Sequence, residues 1–162
     1  DEIINVGVAG SLSDSLGVFD LVVAGDLVQH DMDTSALGDL PGLISGINIV
    51  EIPASKSLSE TACRLASLQG NKCAEGIIAS GDQFINNAEK KSWIRDTFGA
   101  IACEMEGAAI GHVCYVSGVD FVVIRCISDN ASGEADMEYP ELVGKAAVRS
   151  QKLVEAIVKE IG

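Results

Sequence analysis

Basic side chains are scarce in this sequence: 11 Lys and Arg stand against 24 Asp and Glu, for a net charge of −13. Nucleic-acid backbones and anionic membrane surfaces are held by basic patches, so neither is expected as a partner. Long apolar runs are missing as well. No stretch approaches the roughly 20 residues of a bilayer-spanning helix, and no signal peptide is recognisable. The five cysteines (Cys63, Cys73, Cys103, Cys114 and Cys126) are odd in number and lack any C-x-x-C spacing. Three lie in apolar runs, as Cys126 does in Val122–Ile127, so they read as reduced thiols of a cytoplasmic protein. Only two His occur. His30-Asp31-Met32-Asp33 superficially suggests metal ligands, but two His with scattered acids form no specific set, and no metal is expected. His112, alone on an apolar helix, reads as an interior histidine. Aromatics make up only 4% of the chain, against 48% hydrophobic residues overall and 17 Gly. A core built of aliphatic and small side chains suits an α/β domain with close helix–strand packing.

The pattern along residues 1–162 fits one domain. The chain opens on Asp1-Glu2-Ile3-Ile4, without Met and almost directly in a strand, which reads as a piece of a longer protein. Ile3–Val8 reads as a buried strand running into small residues, Asp20–Val28 as a second, and Ile47–Ile52 as a third closed by Pro53. Thr34–Gly46, with Gly38, Pro41, Gly42 and Gly46, reads as loop. Ser57–Gln69 has helical spacing with Ser57 and Glu60 placed as a capping box. Glu75–Ser80 is strand-like, Ala88–Phe98 a helix with Trp93 and Ile94 inward, and Ala100–Cys103 a strand. Gly107–Ser117 is a helix rich in small residues, and Phe121–Ile127 is the most apolar strand. Glu141–Ile161 closes the chain as a helix with Ala147, Leu153, Val154, Ile157, Val158 and Ile161 on one face. Strands alternating with helices, several of them apolar throughout, imply a mixed or parallel central sheet flanked by helices on both faces, in three layers. Ligands of such sheets bind beyond the carboxyl ends of the strands.

Those ends carry the chemistry. Ser128-Asp129 ends the most apolar strand, where desolvation favours a protonated carboxyl and suits a general acid. An Asx-turn or a helix N-cap is the alternative. Glu104-Met105-Glu106, if extended, places both carboxylates on one face, able to accept from a vicinal diol or to stabilise a sugar cation. A helix start with acids in its first turn is the alternative there. Gly7-Val8-Ala9-Gly10-Ser11 lets backbone approach a ligand closely but is neither G-x-G-x-x-G nor a P-loop. Ser80-Gly81-Asp82-Gln83-Phe84-Ile85-Asn86 adds the one aromatic at this edge. Apart from Arg125, inside its strand, no basic residue falls at these strand ends.

In this order the motifs Ile4–Leu12, His30–Asp33, Ser80–Asn86, Glu104–Ile110 and Val122–Asp129 resemble the nucleoside phosphorylase/hydrolase superfamily, within it the 5′-methylthioadenosine/S-adenosylhomocysteine nucleosidases. The resemblance covers essentially the whole chain. It implies a nucleoside phosphorylase-like fold whose first strands precede Asp1, hydrolysis of an N-glycosidic bond, a homodimer, and no metal or organic cofactor. It implies that Asp129 protonates adenine N7 and that Ser128 holds Asp129. Phe84 stacks on the purine and the Ile85 backbone bonds its edge. Glu106 accepts from the ribose hydroxyls, Met105 packs on the sugar, and Glu104 lies near the water. Gly10 lines the sugar side, and Tyr139 covers the 5′-thio group. It also implies a water-activating Glu in a segment before Asp1, without which the chain is inactive. Val8 stands where many relatives have Ser, and Val cannot bond phosphate. Water is therefore favoured as acceptor. A purine nucleoside phosphorylase and an inactive nucleoside-binding module remain the alternatives.

Overall fold

The computed structural model describes residues 1–129 and 139–162, with Tyr139 described in its backbone only. Six strands form one sheet: β1 (Glu2–Ser11), β2 (Leu21–Gln29), β3 (Ile52–Pro53), β4 (Cys73–Ser80), β5 (Ala100–Glu104) and β6 (Asp120–Asp129). Four helices complete the described residues: α1 (Lys56–Leu68), α2 (Ala88–Phe98), α3 (Gly107–Ser117) and α4 (Tyr139–Ile161). The strand order is β3-β2-β4-β5-β1-β6, and a further pairing of β2 with β6 closes the sheet on itself.

Strand direction divides this sheet into two sets. β1 and β6 run parallel to each other, as do β2, β4 and β5. The sets meet antiparallel twice, through Leu21–Val23 of β2 against Ile124–Cys126 of β6, and through Gly10↔Cys103 and Ser11↔Ala102 between β1 and β5. The carboxyl ends of β1, β5 and β6 therefore converge from opposite directions. The sheet is mixed, as expected, and its candidate ligand edge lies where the two sets of strands meet.

Alternation along the strands sends side chains to two helical layers. Leu21 and Val23 of β2, with Val122, Ile124 and Cys126 of β6, pack against Leu58, Ala62 and Ala66 of α1 and Ala146, Leu153 and Ile157 of α4. Their sequence neighbours Val22, Ala24, Phe121, Val123 and Ile127 pack on the opposite side with Ala108 and Cys114 of α3. α3 lies close because its contact positions are small: a Cβ at Gly111 would stand 2.5 Å from Leu27 Cδ1. α2 covers β4 and β5 through Ile94 and Phe98.

Several local expectations change. β1 is not buried along its length. Beyond Gly10 and Ser11 it has no described strand on its outer edge, and Ile3 and Val6 are exposed. Of Ile47–Ile52, only Ile52 with Pro53 forms a strand. The preceding residues turn through Asn48, whose φ of 57° is left-handed, leaving a lone bridge between Ile44 and Ile49. The capping box is absent from α1: Ser55 is the N-cap, without a side-chain bond, and Glu60 pairs with Lys56 instead. Trp93 lies at the surface, edge-on to Phe98 with Lys90 over its ring, while Ile94 is buried. The inward stripe of α4 is Leu142, Ala146, Ser150, Leu153 and Ile157, whereas Ala147, Val158 and Ile161 are exposed.

Candidate active site

A cleft of about 380 Å³ opens where the carboxyl ends meet, a size suited to a small organic ligand. Val8, Ala9 and Gly10 come from β1, Gln83–Asn86 from the segment after β4, and Cys103–Glu106 from the end of β5. Ser128 and Asp129 close β6, Lys91 reaches in from α2 and Leu142 from α4. Eight of the nine residues marked in the sequence line this one cleft: Gly10, Phe84, Ile85, Glu104, Met105, Glu106, Ser128 and Asp129. The ninth, Tyr139, has its backbone at the start of α4, and its side chain lies outside the described residues.

Sheet register explains the clustering. Gly10 of β1 pairs with Cys103 on one side and, across a bulge at Ala9/Gly10, with Asp129 on the other. Three strand ends thus form one row. The side chain missing at Gly10 makes room for the acid, since a Cβ there would stand 3.1 Å from Asp129 Oδ2. Ser128 donates from Oγ to Asp129 Oδ1 at 2.9 Å and to the Ala9 carbonyl at 3.2 Å, so one hydroxyl fixes the carboxylate against β1. The Asp129 side chain keeps 23% of its exposure, enough to meet a ligand.

The other oxygen of Asp129 faces a cation that sequence reasoning missed. Lys91 Nζ lies 3.3 Å from Oδ2, with the lysine side chain only 7% exposed. Asp129 therefore sits opposite an ammonium group rather than in an apolar shell. Lys91 belongs to the inward face of α2, three residues before Ile94 and seven before Phe98. That spacing was the available signal, and the polar character of the helix hid it.

Glu104, in the wall of the cleft, is held by several partners. Its carboxylate accepts from Arg125 Nε at 3.0 Å and from Arg125 Nη2, from Ser80 Oγ, and from the backbone N–H groups of Glu106 and Gly107 at 2.9–3.1 Å. Arg125 also donates to Asn5 Oδ1 at 2.6 Å and to the Ile124 carbonyl at 3.1 Å. An arginine inside the most apolar strand required a buried anion, and Glu104 is it. The Ala108 N–H donates to Ser80 Oγ at 2.7 Å, so the start of α3 is tied to both β4 and β5.

The Glu104-Met105-Glu106 segment is not extended. It bends after Glu104, Glu106 becomes the N-cap of α3, and the two carboxylates part company. Glu104 is buried, while Glu106 is 67% exposed with its Oε2 4.0 Å from Arg125 Nη2. Met105 and Phe84 are exposed as well. The cleft thus offers an open carboxylate, an open aromatic face, a flexible thioether and a partly exposed acid backed by an ammonium. Such a set fits a neutral, flat heterocycle joined to a polyol.

The chain belongs to the phosphorylase superfamily, whose sequence profile matches residues 1–161. Within it, the chain groups with 5′-methylthioadenosine/S-adenosylhomocysteine nucleosidases. It is 40% identical to the Staphylococcus aureus enzyme of that name over 162 residues, 99% of this chain and 71% of the relative. It is 43% identical to the aminodeoxyfutalosine nucleosidase of Helicobacter pylori strain J99 over 155 residues, 96% of this chain and 67% of the relative. Its fold superposes with a TM-score of 0.91 on a mutant Helicobacter pylori nucleosidase with 5′-methylthioadenosine in the active site. That protein is 42% identical, and the match covers 98% of this chain and 68% of the other.

Proposed function

We propose that the protein hydrolyses the N-glycosidic bond of 5′-methylthioadenosine and S-adenosylhomocysteine, with 5′-deoxyadenosine as a further candidate, releasing adenine. The observation that carries this reading is the single cleft shared by Asp129, Phe84, Ile85, Met105 and Glu106. Cleavage builds positive charge on the sugar and negative charge on the base, so it needs a carboxylate near one and an acid near the other. Asp129 is the acid, delivering its proton to adenine N7 so that the base leaves neutral. Ser128 orients it, and the charge that Asp129 acquires is met by the Lys91 ammonium. Phe84 stacks on the purine, the Ile85 backbone bonds its edge, and Gly10 lines the sugar side. Glu106 accepts from the ribose 2′ and 3′ hydroxyls with Met105 against the ring. Glu104, at the cleft wall, lies near the attacking water and, bonded to Arg125 and the α3 amides, holds Met105 and Glu106 in place.

Water is the acceptor in this reading because Val8 presents no hydroxyl to a phosphate and the relatives are nucleosidases. The scarcity of cations at the strand ends contributes less to that choice, since Lys91 enters from α2. The reading extends to a cytoplasmic homodimer acting in methionine salvage. Leu37 and Leu40, exposed at 84% and 68%, are apolar surface of the kind an interface covers. Among the described residues no helix is long and apolar enough to cross a membrane.

The Helicobacter pylori relative supplies a second substrate for the same site, aminodeoxyfutalosine. Adenine release from each nucleoside, with and without inorganic phosphate, tests both readings. Phosphate-independent release supports hydrolysis, and the relative kcat/KM values rank the substrates. A sugar 1-phosphate formed only when phosphate is present would make the protein a phosphorylase instead. Calorimetric binding of an adenosine transition-state mimic without turnover would make it a nucleoside-binding module.

A further inference from the structure

Two of the five thiols lie outside the cleft and against each other. Cys63 in α1 and Cys73 at the start of β4 have their sulfurs 3.4 Å apart, with the Cys73 thiol donating to Cys63. Both are half-buried, whereas Cys103, Cys114 and Cys126 are buried. Burial pushes the thiols of Cys103 and Cys126 up to about 11, and that of Cys114 upward as well. Those three are poor nucleophiles because the thiolate is the reactive form.

Rigid elements hold the pair together. α1 is anchored to β2 by Ser59 Oγ, which donates to the Ala24 carbonyl at 2.8 Å. The turn between α1 and β4 passes through Gly70, whose φ of 76° is left-handed, and is pinned by the Asn71 N–H on the Ala66 carbonyl at 3.0 Å. The Lys72 carbonyl is bonded by the Leu21 N–H at 2.9 Å, fixing the start of β4. Cys63 and Cys73 pack against the same apolar cluster under α1 and α4.

We infer that Cys63 and Cys73 constitute a redox site, a dithiol that low-molecular-weight disulfides oxidise to an intramolecular disulfide joining α1 to β4. Donation from the Cys73 thiol lowers the proton affinity of Cys63, against opposing contributions from burial and Glu75. Cys63 is therefore the attacking sulfur. Its thiolate attacks a disulfide R–S–S–R, forming a mixed disulfide and expelling one RS⁻. The proton affinity of Cys73 is raised chiefly by its bond to Cys63, and that hold ends once the Cys63 charge is spent. Cys73 then gives its proton to solvent, attacks the Cys63 sulfur and expels the second RS⁻. The protein loses two hydrogens, and the reagent gains two electrons. The new bond closes a short loop and removes conformations from the unfolded chain.

The test uses the full chain and one equivalent of 5,5′-dithiobis(2-nitrobenzoate) under native conditions. The expected result is release of both aryl thiolates with no label retained and a mass lower by about 2 Da. A single cross-linked peptide pair carrying Cys63 and Cys73 accompanies it, with a Tm raised by about 5 °C and restored by dithiothreitol. A Cys73→Ser variant is expected to keep one label, on Cys63. Release of only one thiolate with a label retained on the parent chain, a cross-link involving Cys103, Cys114 or Cys126, or unreactive thiols would each overturn the proposal. The Cys63→Ser/Cys73→Ser double variant is expected to release no thiolate while keeping its circular dichroism spectrum. Reaction of that variant at the parent rate would also overturn it.

Discussion

Asp129 owes its position to its neighbours more than to its own strand. Ser128 and Lys91 each hold one carboxylate oxygen, and the absent side chain of Gly10 leaves the space. Asp129→Asn keeps the shape and removes the proton that Asp129 is proposed to transfer. Turnover is expected to fall by about three orders of magnitude with a much smaller change in binding, read from kcat and from titration with a substrate analogue. Glu106→Gln differs because the contact proposed for Glu106 with the ribose hydroxyls would exist before and during cleavage. Here KM is expected to rise and kcat to fall, each by about tenfold, with the loss shrinking on a 2′-deoxy substrate. Gly10→Ala would place a methyl 3.1 Å from Asp129 Oδ2 and push the acid aside. A fall in kcat of roughly tenfold to a hundredfold is expected with little change in Tm, because misplacing a reacting group by about 1 Å has effects of this size. Undiminished turnover would show that the carboxylate does not need the space. Asp129 and Glu106 were legible as acids at or just past the ends of apolar strands, and Phe84 as the one aromatic in the segment that follows β4. Lys91 was not, because a lysine in a polar helix looks like surface until the helix face is known.

Among the elements, α2 and α3 have the limits their sequence suggests, and both for local reasons. Asn87 caps α2 by accepting from the Lys90 N–H at 3.0 Å, and Gly99, with a φ of 67°, ends it. Gly118, with a φ of 65°, ends α3. β3 is shorter than its apolar run suggests because residues 44–49 bond among themselves in a local turn, and α1 starts earlier than its pattern suggests because the Ser55 N–H is held on the Phe121 carbonyl at 2.9 Å. The segment before Ile52 turns at Asn48, and Ser59 is drawn to the Ala24 carbonyl of β2. The junction of β4, β5, β6 and α3 depends on Arg125 and Glu104, whose side chains are 1% and 2% exposed. Arg125→Met would leave a buried carboxylate without its cation. A loss of about 3–5 kcal/mol is expected in denaturant unfolding, with a smaller loss when Glu104→Gln is combined with it. Equal losses in the single and double variants would mean that the pair is not coupled.

For the whole molecule, acid stability carries a contribution from His30. The imidazole is buried, and neither ring nitrogen has a hydrogen-bond partner among the described residues. Burial lowers its proton affinity below the ordinary value of 6.5, against the opposing charge of Asp31. The folded state therefore binds this proton less readily than the unfolded chain. Stability is retained above about pH 6.5 and declines as pH falls below that, until the folded imidazole also titrates. Subtracting the Tm profile of His30→Gln from that of the parent between pH 8 and pH 5 is expected to isolate this decline. A flat difference would mean that His30 does not titrate differently in the two states. The three-layer fold was legible from the alternation of apolar strands and helices. The head-on meeting of the two strand sets was not, because apolar patterning specifies which face is buried but not strand direction. That meeting has a mechanical consequence. The proposed proton donor rides on β6, the carboxylate proposed for the sugar follows β5, and between those ends β1 meets β5 at two rungs, Gly10↔Cys103 and Ser11↔Ala102, with one more bond from the Leu12 N–H to the Ile101 carbonyl just beyond. A slip of two residues there would slide one half of the reaction past the other by about 7 Å. A nucleoside seated across the joint would act as a splint, and its arrival should be felt as slower amide exchange at Ser11 and Leu12.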